Sequence, residues 1–433
     1  MSRPNAETAE FWAIPRLNAE RRAAVRDVWG AFWTSRVAIW VAGMAAVLAF
    51  GWFPDTSARL DPLYTTVPFQ DTFANLLVSP AARFDSAWYL AIADFGYEVS
   101  GRAAFFPLFP GLTALGGSLI GSPVVAGILI SSACGMGSLY LLHRLVALDF
   151  DADLARTTVW IVAWFPSAFV LSAVYTEALF LALSIGSLYA GRLGKWRLAG
   201  LLGGLAAASR SGGLLLIIPL LILYLYGPRA DRPGRELGGT LRPRHPIRTD
   251  ILWILAGVPA GLLAYLAYLS FATGDPFAVF SAQEVWHRSF VPLGGVALGI
   301  WSAISGGFEL VVPGVGRPAS EVANGTSVPI LILRDIVLCG FMFGAFWLVY
   351  ETSKRLPAAY TAYAVTGLAL PLSVPASGYA LMSLPRFMFV LFPLWIALAL
   401  WARERDKVKP VLVLFGTLLV VSSALFATWS WAP

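Results

Sequence analysis

The chain has 433 residues, of which 58% are hydrophobic and 13% charged, and its mean hydropathy is +0.70. A composition this apolar excludes a soluble multi-domain enzyme and indicates an integral membrane protein. The formal net charge of +6 reflects arginines in short loops beside apolar segments. That pattern is typical of cytoplasmic loops and not of a nucleic-acid-binding surface, so we predict no nucleic-acid partner.

In chain order, a polar arm of residues 1–36 precedes a single predicted transmembrane domain of residues 37–433. A helix needs about 20 apolar residues to cross a hydrocarbon core of about 30 Å, and fewer where the bilayer thins. Eleven apolar segments are predicted to span the membrane: Val37–Phe53, Val124–Leu142, Thr158–Ala173, Ala178–Gly191, Leu198–Ser209, Gly212–Tyr226, Ile251–Thr273, Val328–Tyr350, Ala358–Val374, Phe387–Trp401 and Val411–Thr428.

The basic residues predict the orientation of these segments. They cluster in the arm and in five connectors, which we assign to the cytoplasm. This assignment requires that two further apolar segments, Phe105–Gly121 and Val291–Val312, do not cross, so we interpret both as interfacial or re-entrant helices. The arm is then cytoplasmic. The long first loop (Pro54–Ser122) and a second large loop (Gly274–Ser327) are extracytoplasmic.

The first loop contains the segment RFDSAWYLAIADFGYE, which places carboxylates among aromatic residues beside the membrane. Polar groups at that depth are costly to desolvate and often mark a substrate site. Asp85 is our candidate general base, and a helix N-cap is the structural alternative. Glu98 is a candidate substrate-binding carboxylate, with a solvated loop residue as the alternative.

Charged residues also interrupt the apolar segments at predicted outer-face turns. Glu177 follows Tyr175–Thr176 and opens an apolar helix, where the helix dipole alone favours a carboxylate. Arg210 stands in SRSGG and Arg386 in LPRF. A guanidinium binds phosphate oxygens in a bidentate manner, so both arginines are candidate phosphate ligands; a snorkelling side chain is the alternative for Arg210.

The second large loop contains GDPFAVFSAQEVWHR, which places Gln283, Trp286, His287 and Arg288 close together. Tryptophan at a membrane interface is ordinarily a belt residue, and a lone histidine is more often structural than a ligand. The sequence has no Walker motif, no Rossmann glycine pattern and no HExxH pair, so nucleotide and zinc chemistry lack support. We predict no cofactor; a divalent cation shared by Asp85 and Glu98 is the weakly indicated alternative.

These segments resemble the PIG-V type family, the GPI mannosyltransferase 2-like proteins, and the composition predicts a bacterial homologue. The resemblance runs through RFDSAWYLAIADFGYE, AFFPLFPGL, FPSAFVLSAVYTEALFLALS, LAAASRSGG, GDPFAVFSAQEVWHR and LPRFMFVLFPLW. Asp85 matches the acid of the family's first loop, Glu177 an acid after a Tyr-Ser pattern, and Arg210 the arginine of an Arg-Ser-Asn/Gly segment. The pair Trp88–Tyr89 departs from the His–Phe common in eukaryotic members.

The resemblance implies an all-α polytopic membrane protein with a GT-C-like fold and about 11 transmembrane helices. It further implies an inverting mannosyltransferase that uses a polyprenyl-phosphate-mannose donor at the extracytoplasmic face of the cell membrane. The acceptor would be lipid-linked, a glycan or a protein. In this hypothesis Asp85 is catalytic. The substrate-binding residues are Arg83, Trp88, Tyr89, Glu98, Tyr175, Glu177, Arg210, Gln283, Trp286, His287 and Arg386.

A multi-spanning transporter or lipid flippase is the alternative from another functional class, because charged residues beside broken helices also suit alternating access. Inverted repeats would favour that alternative, and the sequence shows none. The long polar first loop favours the enzyme.

Overall fold

The computed structural model describes residues 6–51, 54–69, 71–231, 245–311 and 328–430. Within these ranges the chain is almost entirely helical and forms only isolated β-bridges. The α-helices are α1 (Ala6–Phe50), α2 (Pro54–Leu60), α3 (Thr72–Val78), α4 (Asp85–Phe95), α5 (Leu108–Ile120), α6 (Pro123–Asp149), α7 (Ala152–Ala163), α8 (Glu177–Arg192), α9 (Trp196–Ser209), α10 (Ile217–Tyr226), α11 (Leu252–Leu255), α12 (Gly257–Thr273), α13 (Ala278–Ser281), α14 (Gly294–Val311), α15 (Val328–Arg355), α16 (Ala358–Leu372), α17 (Leu384–Phe389), α18 (Phe392–Glu404) and α19 (Val408–Ala427).

The helices confirm an all-α polytopic membrane protein. In the described part of the chain, five helical stretches are long and apolar enough to cross a membrane, and each overlaps a predicted span. Other predicted spans correspond to apolar helices that are shorter. The total of eleven crossings therefore stays a prediction. The five stretches are Glu20–Phe50, Pro123–Asp149, Thr249–Thr273, Ile332–Arg355 and Val408–Ala427.

Helix α1 includes residues of both the predicted arm and the first span, because it runs without a break from Ala6 to Phe50. The domain boundary at residue 36 stays a prediction. The alanine, glutamate and arginine residues before Val37 have high intrinsic helix propensity, so the helix begins well before the apolar segment. Parts of the predicted connector 229–248 and of the second loop lie outside the described residues. The cytoplasmic and extracytoplasmic assignments of all of these regions stay predictions.

Two predicted spans are divided by two or more residues that lie outside the α-helices. The segment Thr158–Ala173 is not one helix, because α7 ends at Ala163 and is followed by a turn and a short 3₁₀ helix. Pro166 follows this end, and proline cannot donate the hydrogen bond that a continuing helix needs. The Arg36 guanidinium, which is buried, donates to the carbonyl oxygens of Ala163 at 3.3 Å and Ala168 at 2.6 Å. These bonds satisfy acceptors that the interruption leaves without helical partners.

The second interruption divides the segment Phe387–Trp401. The short helix α17 ends at Phe389, and α18 begins at Phe392 with Pro393 in its first turn. Proline is favoured in a first turn because its missing N–H has no helical partner there. As a result Arg386 lies in a short helix between two longer ones, where its side chain faces the interior of the protein.

Helices α9 and α12 approach closely because both carry pairs of small residues. A Cβ atom at Gly204 would lie 2.3 Å from the carbonyl oxygen of Gly257, and one at Gly261 would lie 1.8 Å from that of Gly204. Contacts this short are impossible for any residue larger than glycine. Small residues four positions apart commonly allow the backbones of two membrane helices to approach closely.

The first loop packs as a layer of short helices over the end of the bundle. Its aromatic cluster includes Tyr89, Phe105 and Phe106 and is continuous with Tyr265 of α12. The buried Tyr265 hydroxyl donates to the carbonyl oxygen of Ala103 at 2.8 Å, which ties the loop to α12. The loop therefore holds a defined position against α12.

Candidate active site

A cavity of about 300 Å³ lies where the first loop meets the second loop and α17. It falls in the lower part of the size range of small-molecule sites. Eight of the twelve side chains selected from the sequence line it, although they come from segments far apart in the chain. They are Asp85, Tyr89, Tyr175, Glu177, Arg210, Gln283, Trp286 and Arg386.

Ion pairs join the charged residues of the cavity. The Arg386 guanidinium contacts two carboxylates: Nη1 lies 2.5 Å from Asp85 Oδ2, and Nε lies 3.3 Å from Glu177 Oε1. Glu177 Oε1 also lies 2.8 Å from Nη1 of Arg210. Burial alone would lower the pKa of Arg386, but the carboxylates of Asp85 and Glu177 raise it above the ordinary arginine value. Arg386 therefore stays charged.

Asp85 occupies the first turn of α4, directly after the N-cap position. The N-cap residue is Phe84, which makes no side-chain capping bond. The Asp85 backbone N–H donates to the Tyr175 hydroxyl at 3.2 Å, and that hydroxyl donates to the Arg83 carbonyl oxygen at 3.2 Å. The Asp85 carboxylate is directed to Arg386 instead of capping its own helix.

Glu177 is the first residue of α8 and is only 1% exposed. A buried carboxylate is unfavourable without a charged partner, so the dipole of α8 does not by itself account for its position. The neighbouring Thr176 hydroxyl donates to the Ser209 carbonyl oxygen at 3.2 Å, which joins the start of α8 to the end of α9. Arg210 follows directly, and this contact brings it to Glu177.

The ring of Phe387 lies at the centre of three guanidinium groups. The Cζ atoms of Arg210, Arg386 and Arg288 lie 4.9, 5.7 and 5.8 Å from its centroid. Cations within about 6 Å of an aromatic face are attracted by its quadrupole. Phe387 therefore offsets part of the repulsion between the three like charges.

Arg288 and Phe387 also line the cavity, although neither was among the candidate substrate-binding residues. One signal could have identified Arg288. It is a cation in a loop predicted to be extracytoplasmic, where the positive-inside rule disfavours arginine. For Phe387 the sequence contains no comparable signal, since phenylalanine is ordinary in an apolar helix.

Two residues of the cavity wall have strained backbone conformations. Phe84 has a φ of +54° and Ser383 a φ of +62°. Positive φ is uncommon for residues other than glycine, and such strain concentrates at functional sites. Phe84 directly precedes Asp85, and Ser383 lies three residues before Arg386, so both conformations help to direct a charged side chain into the cavity.

Aromatic rings form another part of the cavity wall. The Trp286 ring contacts Phe105 at a centroid distance of 6.0 Å, and Tyr89 contacts Phe105 at 5.1 Å. Trp88 does not line the cavity. It stacks on Phe105 at 5.6 Å and supports this wall from behind.

Three other selected residues also lie outside the cavity lining. Arg83 is fully buried, and its Nε donates to the Ala427 carbonyl oxygen at 3.0 Å near the end of α19, which is a structural contact. Glu98 and His287 are exposed. Because Asp85 lines the cavity and Glu98 does not, the structure does not bring these two carboxylates together there. Among the described residues, no group of three or more metal-binding side chains is found.

Comparison with known proteins gives the context for this site. Residues 44–222 match the family model described as Mannosyltransferase (PIG-V). GPI mannosyltransferase 2 of Yarrowia lipolytica is 25% identical over 331 residues, which cover 73% of this chain and 81% of that protein. GPI alpha-1,6-mannosyltransferase 2 of Rattus norvegicus is 29% identical over 215 residues, which cover 46% of this chain and 43% of that protein. The chain thus spans less than half the length of the rat relative.

An oligosaccharyltransferase of Archaeoglobus fulgidus aligns with the structure at a TM-score of 0.42 and 13% identity, over 90% of this chain and 53% of that chain. The apolar helices, the matched family and the named relatives define the class: the protein is a membrane glycosyltransferase. Within that class it is a mannosyltransferase, and residues 44–222 are similar to the PIG-V family.

Proposed function

We propose that this protein transfers mannose from a polyprenyl-phosphate-mannose donor to a hydroxyl group of a lipid-linked, glycan or protein acceptor at the extracytoplasmic face. The observation that carries the proposal is the cavity, which combines the carboxylate of Asp85 with several arginines. The transfer of a sugar from a lipid phosphate needs a base that deprotonates the acceptor hydroxyl and positive charge that stabilises the leaving phosphate.

In the proposed reaction Asp85 takes the proton from the acceptor hydroxyl. The acceptor oxygen forms a bond to the anomeric carbon of mannose while the bond from that carbon to the phosphate oxygen breaks. Polyprenyl phosphate leaves, and the anomeric configuration inverts because there is one displacement. The reaction needs no nucleotide, consistent with a sequence that has no nucleotide-binding motif.

Arg210 and Arg386 face the same cavity as Asp85 and supply positive charge as negative charge develops on the leaving phosphate. Fixed charges in a largely buried site require little reorganisation during the reaction. We assign Glu177 the role of a positioning residue, because its Oε1 atom contacts both guanidiniums and is almost inaccessible to solvent.

The aromatic wall is the proposed surface for the sugar and acceptor. Trp286 and Tyr89 line the cavity, and aromatic faces bind the apolar C–H faces of sugars. Gln283 lines the same region and provides an amide that can donate to and accept from hydroxyl groups.

The experiment uses the full-length protein in lipid nanodiscs with polyprenyl-phosphate [³H]mannose and a membrane lipid and glycan extract as acceptor. We expect label to move from the donor lipid into a product that α-mannosidase digests. If the purified wild-type protein transfers no label above a protein-free control, the proposed donor is wrong. Release of label only by β-mannosidase would contradict single inversion from a β-linked donor.

A further inference from the structure

The charges on the cavity wall do not balance. Three arginines and two carboxylates line the cavity, so its wall has a formal net charge of +1. Arg386 contacts both carboxylates, and Arg210 contacts Glu177. The carboxylates are therefore already engaged, and the unbalanced positive charge belongs to the third arginine, Arg288.

The backbone of Arg288 is held by hydrogen bonds, whereas its guanidinium has no ion-pair partner among the described residues. Its backbone N–H donates to the Gln283 carbonyl oxygen at 3.2 Å, and the residue forms a β-bridge with Ala376. Within the described ranges, no carboxylate lies within 4.0 Å of its guanidinium, and the guanidinium donates no hydrogen bond to a protein atom. The group that it faces is the Phe387 ring.

An unpaired guanidinium in a partly buried site is energetically unfavourable. Burial, with the nearby charge of Arg386, lowers the pKa of Arg288 to about 10, so the group is still protonated at neutral pH. Its five donors form a planar fork that matches the oxygens of a phosphate. A phosphate ester would neutralise the excess charge and satisfy these donors.

We propose that Arg288 is the primary anchor for the phosphate group of a lipid substrate, with Arg386 and Arg210 as flanking cations. This inference rests on the proposed function for the identity of the lipid, and it assigns the phosphate to a different arginine from those selected by sequence. The physical reason is that binding at Arg288 breaks no existing ion pair, whereas direct binding at Arg210 or Arg386 competes with Glu177 or Asp85.

The experiment measures direct binding to the full-length protein in detergent. The probes are a short-chain polyprenyl phosphate, the matched polyprenyl alcohol, and phosphatidylinositol, which represents a phosphate on the acceptor side. The variants are Arg288→Gln, Arg288→Lys and Arg210→Gln. The matched control is Arg405→Gln, which removes the same charge from a half-exposed side chain distant from the cavity.

For the wild type we expect polyprenyl phosphate to bind more tightly than the alcohol. Loss of a charge-assisted contact predicts that Arg288→Gln weakens phosphate binding by about 10- to 100-fold and leaves alcohol binding unchanged. Arg288→Lys should retain part of the preference for polyprenyl phosphate over the alcohol, because lysine keeps the positive charge but lacks the planar set of donors of a guanidinium. Arg210→Gln should have a smaller effect than Arg288→Gln, and Arg405→Gln none.

The outcomes separate this inference from the proposed reaction. Selective loss of phosphatidylinositol binding in Arg288→Gln would assign the anchor to the acceptor phosphate and retain the site. Arg288-dependent phosphate binding without mannose transfer would reject the reaction and retain the anchor. Equal phosphate affinity in the wild type and Arg288→Gln would overturn the inference. If Arg288→Gln does not fold, a wild-type affinity of Arg288→Lys for polyprenyl phosphate would overturn it equally.

Discussion

Replacing Asp85 with asparagine tests the proposed chemistry most directly. The substitution preserves the size of the side chain and much of its hydrogen bonding, but it removes the proton acceptor. In the structure the Asp85 carboxylate lies at the cavity wall, 2.5 Å from Arg386. An asparagine can still accept a hydrogen bond from that guanidinium, so the geometry of the cavity should be retained.

The expected effects on activity and stability differ in size. General-base catalysis typically contributes about 10²–10⁴-fold, so Asp85→Asn should lower kcat by at least about 100-fold. The ion pair is only partly exposed, with side-chain exposures of 14% for Arg386 and 24% for Asp85. Arg386 also keeps its contact with Glu177 in the variant. Since that guanidinium is not left unpaired, the free energy of unfolding should fall by only about 1–2 kcal/mol.

The assay compares mannose transfer by Asp85→Asn and Asp94→Asn at saturating donor, together with thermal unfolding in detergent. Asp94 lies in the same helix, is exposed and does not line the cavity. Asp85→Glu should retain a little activity, because its carboxylate is displaced by one methylene. Equal turnover in Asp85→Asn and Asp94→Asn would refute the role of Asp85 as base and the mechanism that depends on it.

Three other predictions test the arginine site, the helix packing and the orientation. Arg210→Ala should remain folded and lose up to about 1.5 kcal/mol of donor binding or transition-state stabilisation, less than Arg288→Gln because Arg210 is already paired with Glu177, and unchanged donor kinetics would contradict its role. Gly204→Ala should lower the melting temperature, because its Cβ would lie 2.3 Å from a backbone oxygen, whereas Gly137→Ala has open space around its Cβ and should not. In a background without native cysteines, an impermeant maleimide should label Val99→Cys in intact cells but Lys195→Cys only after permeabilisation; the reverse pattern would show that the orientation is wrong.

Much of the architecture was predictable from the sequence. The cost of placing polar groups in hydrocarbon is large and local, so hydropathy alone located the five helices long enough to span the membrane. The charged residues that interrupt apolar segments were also informative, and Asp85, Glu177, Arg210 and Arg386 all line one cavity. The interruptions after Ala163 and Phe389 were missed, because an apolar segment with a proline near one end can be a continuous helix or two shorter ones.

Only the tertiary structure decided how the charged residues are paired. Asp85 and Arg386 are 301 positions apart in the chain, and no local pattern indicates that they form an ion pair. The sequence likewise could not choose between His287 and Arg288, which are adjacent. The left-handed backbone of His287, at a φ of +50°, and the packing of this loop against α17 leave His287 exposed and place Arg288 in the cavity wall. Hydropathy depends on each segment alone, whereas the partner of a charge depends on which surfaces the packed helices bring together.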